Sequence, residues 1–213
     1  MIMRKLLLAA LLMVPVGAVA FHLGPGQDML RLDEASSYMG QADGHAALAA
    51  ELKTDGADLE AASEWAKAEA AYADALGLLP QNEVATQREL ILERAKCRMM
   101  ISKLPEANTD LVTLVQEMEA DETADELVLR DARRALANSE YYMTWLMRLE
   151  GLGRAEWEPR IESARQTLRL LAEAPNAAED TSVFERDQED LEATIRLARM
   201  ELTDLQGLPL PSQ

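Results

Sequence analysis

The sequence predicts an all-α protein: antiparallel helix pairs stacked as a solenoid, closed by a C-terminal capping helix. Alanine, leucine and glutamate dominate, while the 10 glycines and 8 prolines fall mostly between periodic runs, as expected of strong helix formers separated by breaks. No stretch alternates Val, Ile or Thr with polar residues as a half-buried strand would. The chain also aligns on itself at one fixed offset, which is the mark of a repeat architecture.

Residues 1–20 read as a cleaved secretory signal. Arg4 and Lys5 precede an apolar run from Leu6 to Gly17 that ends in Ala18-Val19-Ala20, the small-x-small pattern accepted by signal peptidase. The run is shorter than the roughly 20 residues that span a bilayer, and no second such run follows. We expect a periplasmic or secreted protein, cut after Ala20, with no stable membrane insertion. Residues 21–44 form a glycine-punctuated lead-in with room for one short helix.

A single helical domain is expected over 45–205, with helices at 45–60, 63–79, 84–103, 105–119, 123–149, 157–174 and 182–205. Ser63, ahead of Glu64-Trp65, suits an N-cap, where a hydroxyl accepts from an unpaired amide. Pro105 and Pro159 suit first turns, where a missing amide proton matters least. Gly151 and Gly153 break the long run before them. Short breaks make neighbouring helices antiparallel. In the last helix a stripe of Leu191, Ile195, Ala198 and Leu202 alternates with charges, as on a solubilising cap. Residues 206–213, QGLPLPSQ, cannot continue a helix; Leu208-Pro209-Leu210-Pro211 favours an extended, left-handed path that enters grooves at low entropic cost.

The internal offset is 39 residues. Leu52, Gly56, Trp65, Ala68, Tyr72 and Ala75 match Ile91, Ala95, Leu104, Ala107, Leu111 and Leu114. Small residues at Gly56/Ala95 and Ala68/Ala107 would let two helices approach, with Trp65/Leu104 and Tyr72/Leu111 filling the space around them. The spacing Gly56, Ala68, Tyr72, Ala75, Pro80 resembles the tetratricopeptide repeat, with Pro80 in the place of its terminal proline. The second unit, "KLPEANTDLVTLVQE" from Lys103 to Glu117, is similar to that family's helix B opening but carries Glu119 where the proline would stand. The family's period is about 34 residues, so this chain holds extra residues between units, with "QNEVATQ" the natural place. The resemblance covers residues 49–119; Ala164, Leu168 and Leu171 suggest a degenerate third pair.

That resemblance implies a binding face on the first helices of each pair and a protein or peptide partner. Mapped onto this chain, the face comprises Lys53, Ala57 and Glu60, then Glu89, Leu92, Lys96, Met99 and Met100. Two lysines in a groove of an acidic chain would select a carboxylate, and unbranched thioethers repack around varied ligands. Ala57 stands where a carboxylate-binding asparagine of the family would be wanted. Tyr141, Trp145 and Arg148 share a helix face and form either a second interface or the core under the capping helix.

Composition narrows the function further. Of 21 Lys and Arg residues, Arg4 and Lys5 leave with the signal, so 19 remain against 38 Asp and Glu, a mature charge of about −19. Nucleic acid is excluded, since its affinity depends on neutralising phosphates. Cys97 is the only cysteine, so no intrachain disulfide forms, and its helical context reads as packing. No phosphate loop, nucleophile elbow, paired-histidine motif or calcium loop is present. The expectation is a non-enzymatic exported scaffold with no cofactor, binding a partner in the cell envelope. The alternatives are a protein that sequesters a small ligand or metal, with His22 and the methionines as donors, and a carboxylate-dependent hydrolase.

Overall fold

The structure is a computed structural model that describes residues 25–173 and 181–206. The expected signal segment, His22 and the LPLP tail lie outside the described residues. Among the described residues eight helices follow one another: α1 (Pro25–Thr54), α2 (Asp58–Leu78), α3 (Val84–Met100), α4 (Leu104–Glu119), α5 (Glu126–Leu149), α6 (Arg154–Ala172), α7 (Thr181–Arg199) and α8 (Leu202–Gln206). No strand occurs among the described residues, and from α1 to α7 each helix packs on the next. The protein is all-α and built from antiparallel helix pairs.

The expected lead-in is largely helical: α1 is one helix of 30 residues. Its fully buried alanines, Ala35, Ala42 and Ala49, recur every seventh residue, as do Ala61, Ala68 and Ala75 on α2. An antiparallel turn centred near residue 55 sets Ala49 opposite Ala61, Ala42 opposite Ala68 and Ala35 opposite Ala75. Small side chains on both faces let the two backbones approach closely, and that contact overrides the propensity penalty of Gly40 and Gly44, up to about 1 kcal/mol each. Tyr72 closes the seam by donating its hydroxyl to Asp43 at 2.6 Å; burial first, and then the Asp43 carboxylate, raises that phenol's pKa.

Ser63 is not a cap. It lies inside α2, which begins at Asp58 without a side-chain cap and draws Asp58 and Glu60 into its first turn, where carboxylates stabilise the positive helix end. Pro105 does occupy the first turn of α4. Pro159 instead falls inside α6, which begins at Arg154 directly after Gly153. Asp125 caps α5 by accepting from the amides of Leu127 and Val128 at 2.8 and 3.2 Å. The single expected capping helix is two, α7 and α8, split at Met200.

The turns between paired helices reveal the true period. Each carries one left-handed residue, Gly56 (φ 78°), Ser102 (φ 62°) and Gly151 (φ 80°). Each is closed by the same six-residue hydrogen bond, from Ala57 to Leu52, Lys103 to Arg98 and Leu152 to Met147, at 2.9, 3.0 and 3.0 Å, the helix-ending Schellman arrangement. These turns are 46 and 49 residues apart in sequence, from Gly56 to Ser102 and from Ser102 to Gly151, not 39. Gly56 is therefore an exposed turn residue with open space around it, not a contact between helices. The partners of buried Ala95 and Ala107 in the first pair are Ala49 and Ala61, all within 1% of fully buried.

Ser102 holds a conformation that glycine serves in the other two turns. The left-handed backbone costs a non-glycine residue about 1–2 kcal/mol, while glycine loses up to about 1 kcal/mol more chain entropy on folding. Ser102→Gly is expected to stabilise the protein by roughly 0.5–1 kcal/mol, a rise in Tm of about 1–4 °C. A fall in Tm would show that the serine hydroxyl contributes more than the strain removes.

Candidate functional site

The first helices of successive pairs touch across the fold, α3 with α5 and α5 with α7. Over this row runs a groove in two connected hollows that share Trp65, Met100 and Tyr142. One hollow, of about 510 Å³, lies at the turn end, where Lys53 and Asp58 face Leu104, Trp145 and Leu146. The other, of about 440 Å³, draws walls from α1, α3, α5 and α7, with Ala46, Lys96, Asp131, Arg134 and Arg186 among them, and takes Trp65 from α2.

The two hollows differ in chemistry. The turn-end hollow is mostly aromatic and aliphatic, with Lys53 at its rim held 3.1 Å from Asp58. In the second, Lys96 donates to Glu93 at 2.7 Å and to Asp131 at 2.8 Å. Burial by itself would push the Lys96 pKa down; Asp131 and Glu93 overcome it and hold the ammonium above its ordinary value. Arg134 bonds Asp131 at 3.0 Å and forks onto the fully buried Asp187 at 2.5 and 3.0 Å. Glu93, Lys96, Asp131 and Arg134 of this hollow thus already hold partners.

The expected site residues divide accordingly. Lys53, Lys96, Met99 and Met100 come together on the groove. Met99 contributes only a sliver of surface, since it is 8% exposed and packs in the central core. Leu92, 3% exposed, belongs to that core and not to a binding face. Glu60 and Glu89 are exposed away from the groove. α1 ends at Thr54, which puts Glu60 on α2, where Asp58, Ala61, Ala62 and Trp65 line the turn-end hollow and Glu60 does not.

Tyr141, Trp145 and Arg148 are core at the C-terminal end and not an open second interface. Trp145 is 6% exposed and Arg148 7%. Tyr141 packs edge-on to Tyr142 at 5.4 Å and tilts against Trp145 at 6.2 Å. Arg148 lies 4.8 Å over the Trp157 ring and donates to the backbone carbonyls of Leu197 and Met200. Those two carbonyls end α7, which explains the break before α8.

The groove residues that sequence reasoning passed over as binding residues are Trp65, Tyr142, Leu146, Asp131 and Arg134. Their signal was a pair of aromatics, Trp65 on α2 and Tyr142 on α5, hidden because the two lie 77 positions apart in sequence. Cys97 also borders the second hollow but is 2% exposed, and burial, reinforced by Glu93 and Glu69, pushes its thiol up to about 12. Burial raises the carboxyls of Glu140 and Asp190; they lie on different helices, α5 and α7, and neither lines the groove. Among the described residues no three His, Cys, Asp or Glu side chains converge as metal ligands do. No helix among them is long and apolar enough to cross a membrane. Compared with protein-family models, curated proteins and solved structures, the chain matches none.

Proposed function

We propose that this protein is an exported, non-enzymatic scaffold whose groove holds a segment of a protein partner in the cell envelope. The observation that carries the proposal is the groove that crosses the row of first helices and gathers Lys53, Lys96 and Met100 onto an aromatic floor with Trp65 and Tyr142. A surface built on packed helices is already in its binding shape, so little ordering entropy opposes association. The tetratricopeptide resemblance supports the same reading through its helix pairs, although turns 46 and 49 residues apart make each unit longer than that family's period of about 34. Export rests on the signal-like residues 1–20.

A photo-crosslinking residue at Met100, which borders both hollows, tests the reading against a control at Leu170, 71% exposed on α6. In intact envelopes the Met100 probe is expected to join one defined protein, through a peptide of that protein mappable by mass spectrometry, and the Leu170 probe none. Equal labelling from both positions would sink the groove as the binding face.

A further inference from the structure

We propose that Glu140 is a proton-operated clamp between α5 and α6: with its carboxyl protonated the seam between the two helices closes, and with it ionised the seam loosens and α6 and α7 are held less firmly.

Three observations lead there. First, the carboxyl is enclosed in the seam. Glu140 is 8% exposed, and its Oε2 is buried with no hydrogen-bond partner among the described residues. Along the same face of α5, Ala137 and Thr144 are fully buried, and Ala137 packs with Ala164, Leu168 and Leu171 of α6. A carboxylate kept from water needs donors for its charge, whereas the neutral acid does not.

Second, the surroundings do little for that charge. α6 brings the Ser163 hydroxyl and the Arg160 guanidinium, both of which favour the ionised form, and no charged group of α4 or α7 among the described residues adds to them. Arg160 donates from Nη1 to Asn108 Oδ1 at 3.1 Å, and Asn108 donates to Ser139 at 2.9 Å. The nearest cation is thus engaged elsewhere and acts on Glu140 through its field. Ser139 and Thr144 of α5 donate to backbone carbonyls, those of Leu136 and of Glu140 itself. Burial outweighs Ser163 and Arg160 and raises the carboxyl above its ordinary pKa.

Third, Glu69 supplies the contrast. It is equally buried, at 8% exposure, but accepts from Arg94, Arg98 and Lys103, and its pKa falls to about 2. Three cationic donors fix one buried carboxyl as an anion; their absence leaves the other open to protons.

The place of the seam gives the clamp its reach. α6 packs on α5 and α7, and α7 walls the second hollow at Arg186. Glu140 lines neither hollow, so pH acts on the groove through that wall and not through a ligand contact. The sign is fixed: a raised carboxyl pKa gives stability that is complete below the unfolded value near 4.5 and is lost as the pH rises through the folded one.

Urea unfolding of the wild type and of Glu140→Gln, its uncharged isostere, tests the clamp from about pH 8 to about pH 4. The variant is expected to have the higher urea midpoint at pH 8. The gap should shrink as the pH falls, with the ratio of the two folding constants changing by up to about tenfold per pH unit, and stay constant below about pH 4.5. A gap independent of pH overturns the proposal. So does a variant less stable than the wild type at pH 8, which would mean that Arg160 holds Glu140 as an anion. Hydrogen exchange of the wild type alone, corrected for intrinsic rates, checks the seam at about pH 5.5 and 7.5. Amides of α6 are expected to gain protection in acid relative to those of α2, and an equal change in both helices overturns the clamp.

Discussion

Replacing Glu69 with glutamine is expected to destabilise the protein by roughly 2–4 kcal/mol at neutral pH, because one buried carboxylate ties three segments together. Its Oε1 accepts from Nε of Arg94 and of Arg98, both at 2.9 Å, and its Oε2 from Nζ of Lys103 at 3.1 Å. Glu69 stands on α2, the two arginines on α3, and Lys103 at the entry to α4; Arg98 reaches on to Asp110 of α4 at 2.5 Å. Glu69 is only 8% exposed, so removing its charge leaves cations facing each other in a poorly solvated place. Losing one partner of a buried pair typically costs about 3–5 kcal/mol; the half-exposed Lys103, and water reaching it, bring the expectation down.

The same residue sets a pH dependence with a definite sign. Burial raises the Glu69 pKa, but the hydrogen bonds from Arg94, Arg98 and Lys103 outweigh it and lower the value from 4.5 to about 2. A depressed carboxyl pKa contributes stability above the unfolded value, on the order of 3 kcal/mol here, and loses it as the pH falls through the folded one. The gap between wild type and Glu69→Gln is therefore expected to be constant from pH 7 to about 5 and to close between about pH 4.5 and 2. Urea titrations of both proteins across that range measure it. A gap that widens in acid, or is absent at pH 7, would show that the cluster does not hold α2 to α3 and α4.

The class of the fold was legible because helix-forming residues, apolar period and breaks agreed along the chain. The register was not, and the reason is geometric. The expected offset of 39 and the observed 46 between Gly56 and Ser102 differ by seven residues, nearly two helical turns. A slip of that size keeps every residue on the same helix face. Ala68, Tyr72 and Ala75 are accordingly buried, as are Ala107, Leu111 and Leu114, and six matches accumulated at the wrong level of the hairpin. Only Gly56 could expose the error, since a turn residue had been aligned with the buried Ala95. The turn chemistry held the answer: Gly56, Ser102 and Gly151 mark the pairs, but a serine in a left-handed turn gives no signal of its own. For the site, Lys53, Lys96 and Met100 were readable from helix faces. The aromatic floor was not, because Trp65, Tyr142 and Trp145 meet only when three pairs are stacked.

Arg148→Ala is expected to release α7 and α8 from the rest of the fold, at about 3–5 kcal/mol. The last carbonyls of a helix have no partner within it, and those of α7 are met by a guanidinium that donates to Leu197 and Met200 together. A cation there also opposes the negative end of the helix. Arg148 carries this charge at 7% exposure, against the Trp157 ring at 4.8 Å, and burial lowers its pKa against the pull of Glu201. Hydrogen bonds to charged groups contribute about 1.5–3 kcal/mol each, and a desolvated cation over an indole about 2; relaxation of the freed C-terminal helices recovers part of that total. The effect should be local. Hydrogen exchange is expected to accelerate through Thr181–Arg199 while α1 to α4 keep their protection, and Arg148→Lys should recover only part of the loss, since an ammonium lacks the planar, pre-organised fork that stacks on the Trp157 ring while it donates. Were Arg148 with Tyr141 and Trp145 an outward-facing interface, the alanine variant would keep its Tm and its exchange pattern and lose only binding. That result would return the cluster to the surface and leave α7 to be held by the Arg134–Asp187 fork and the packing of Leu197 alone.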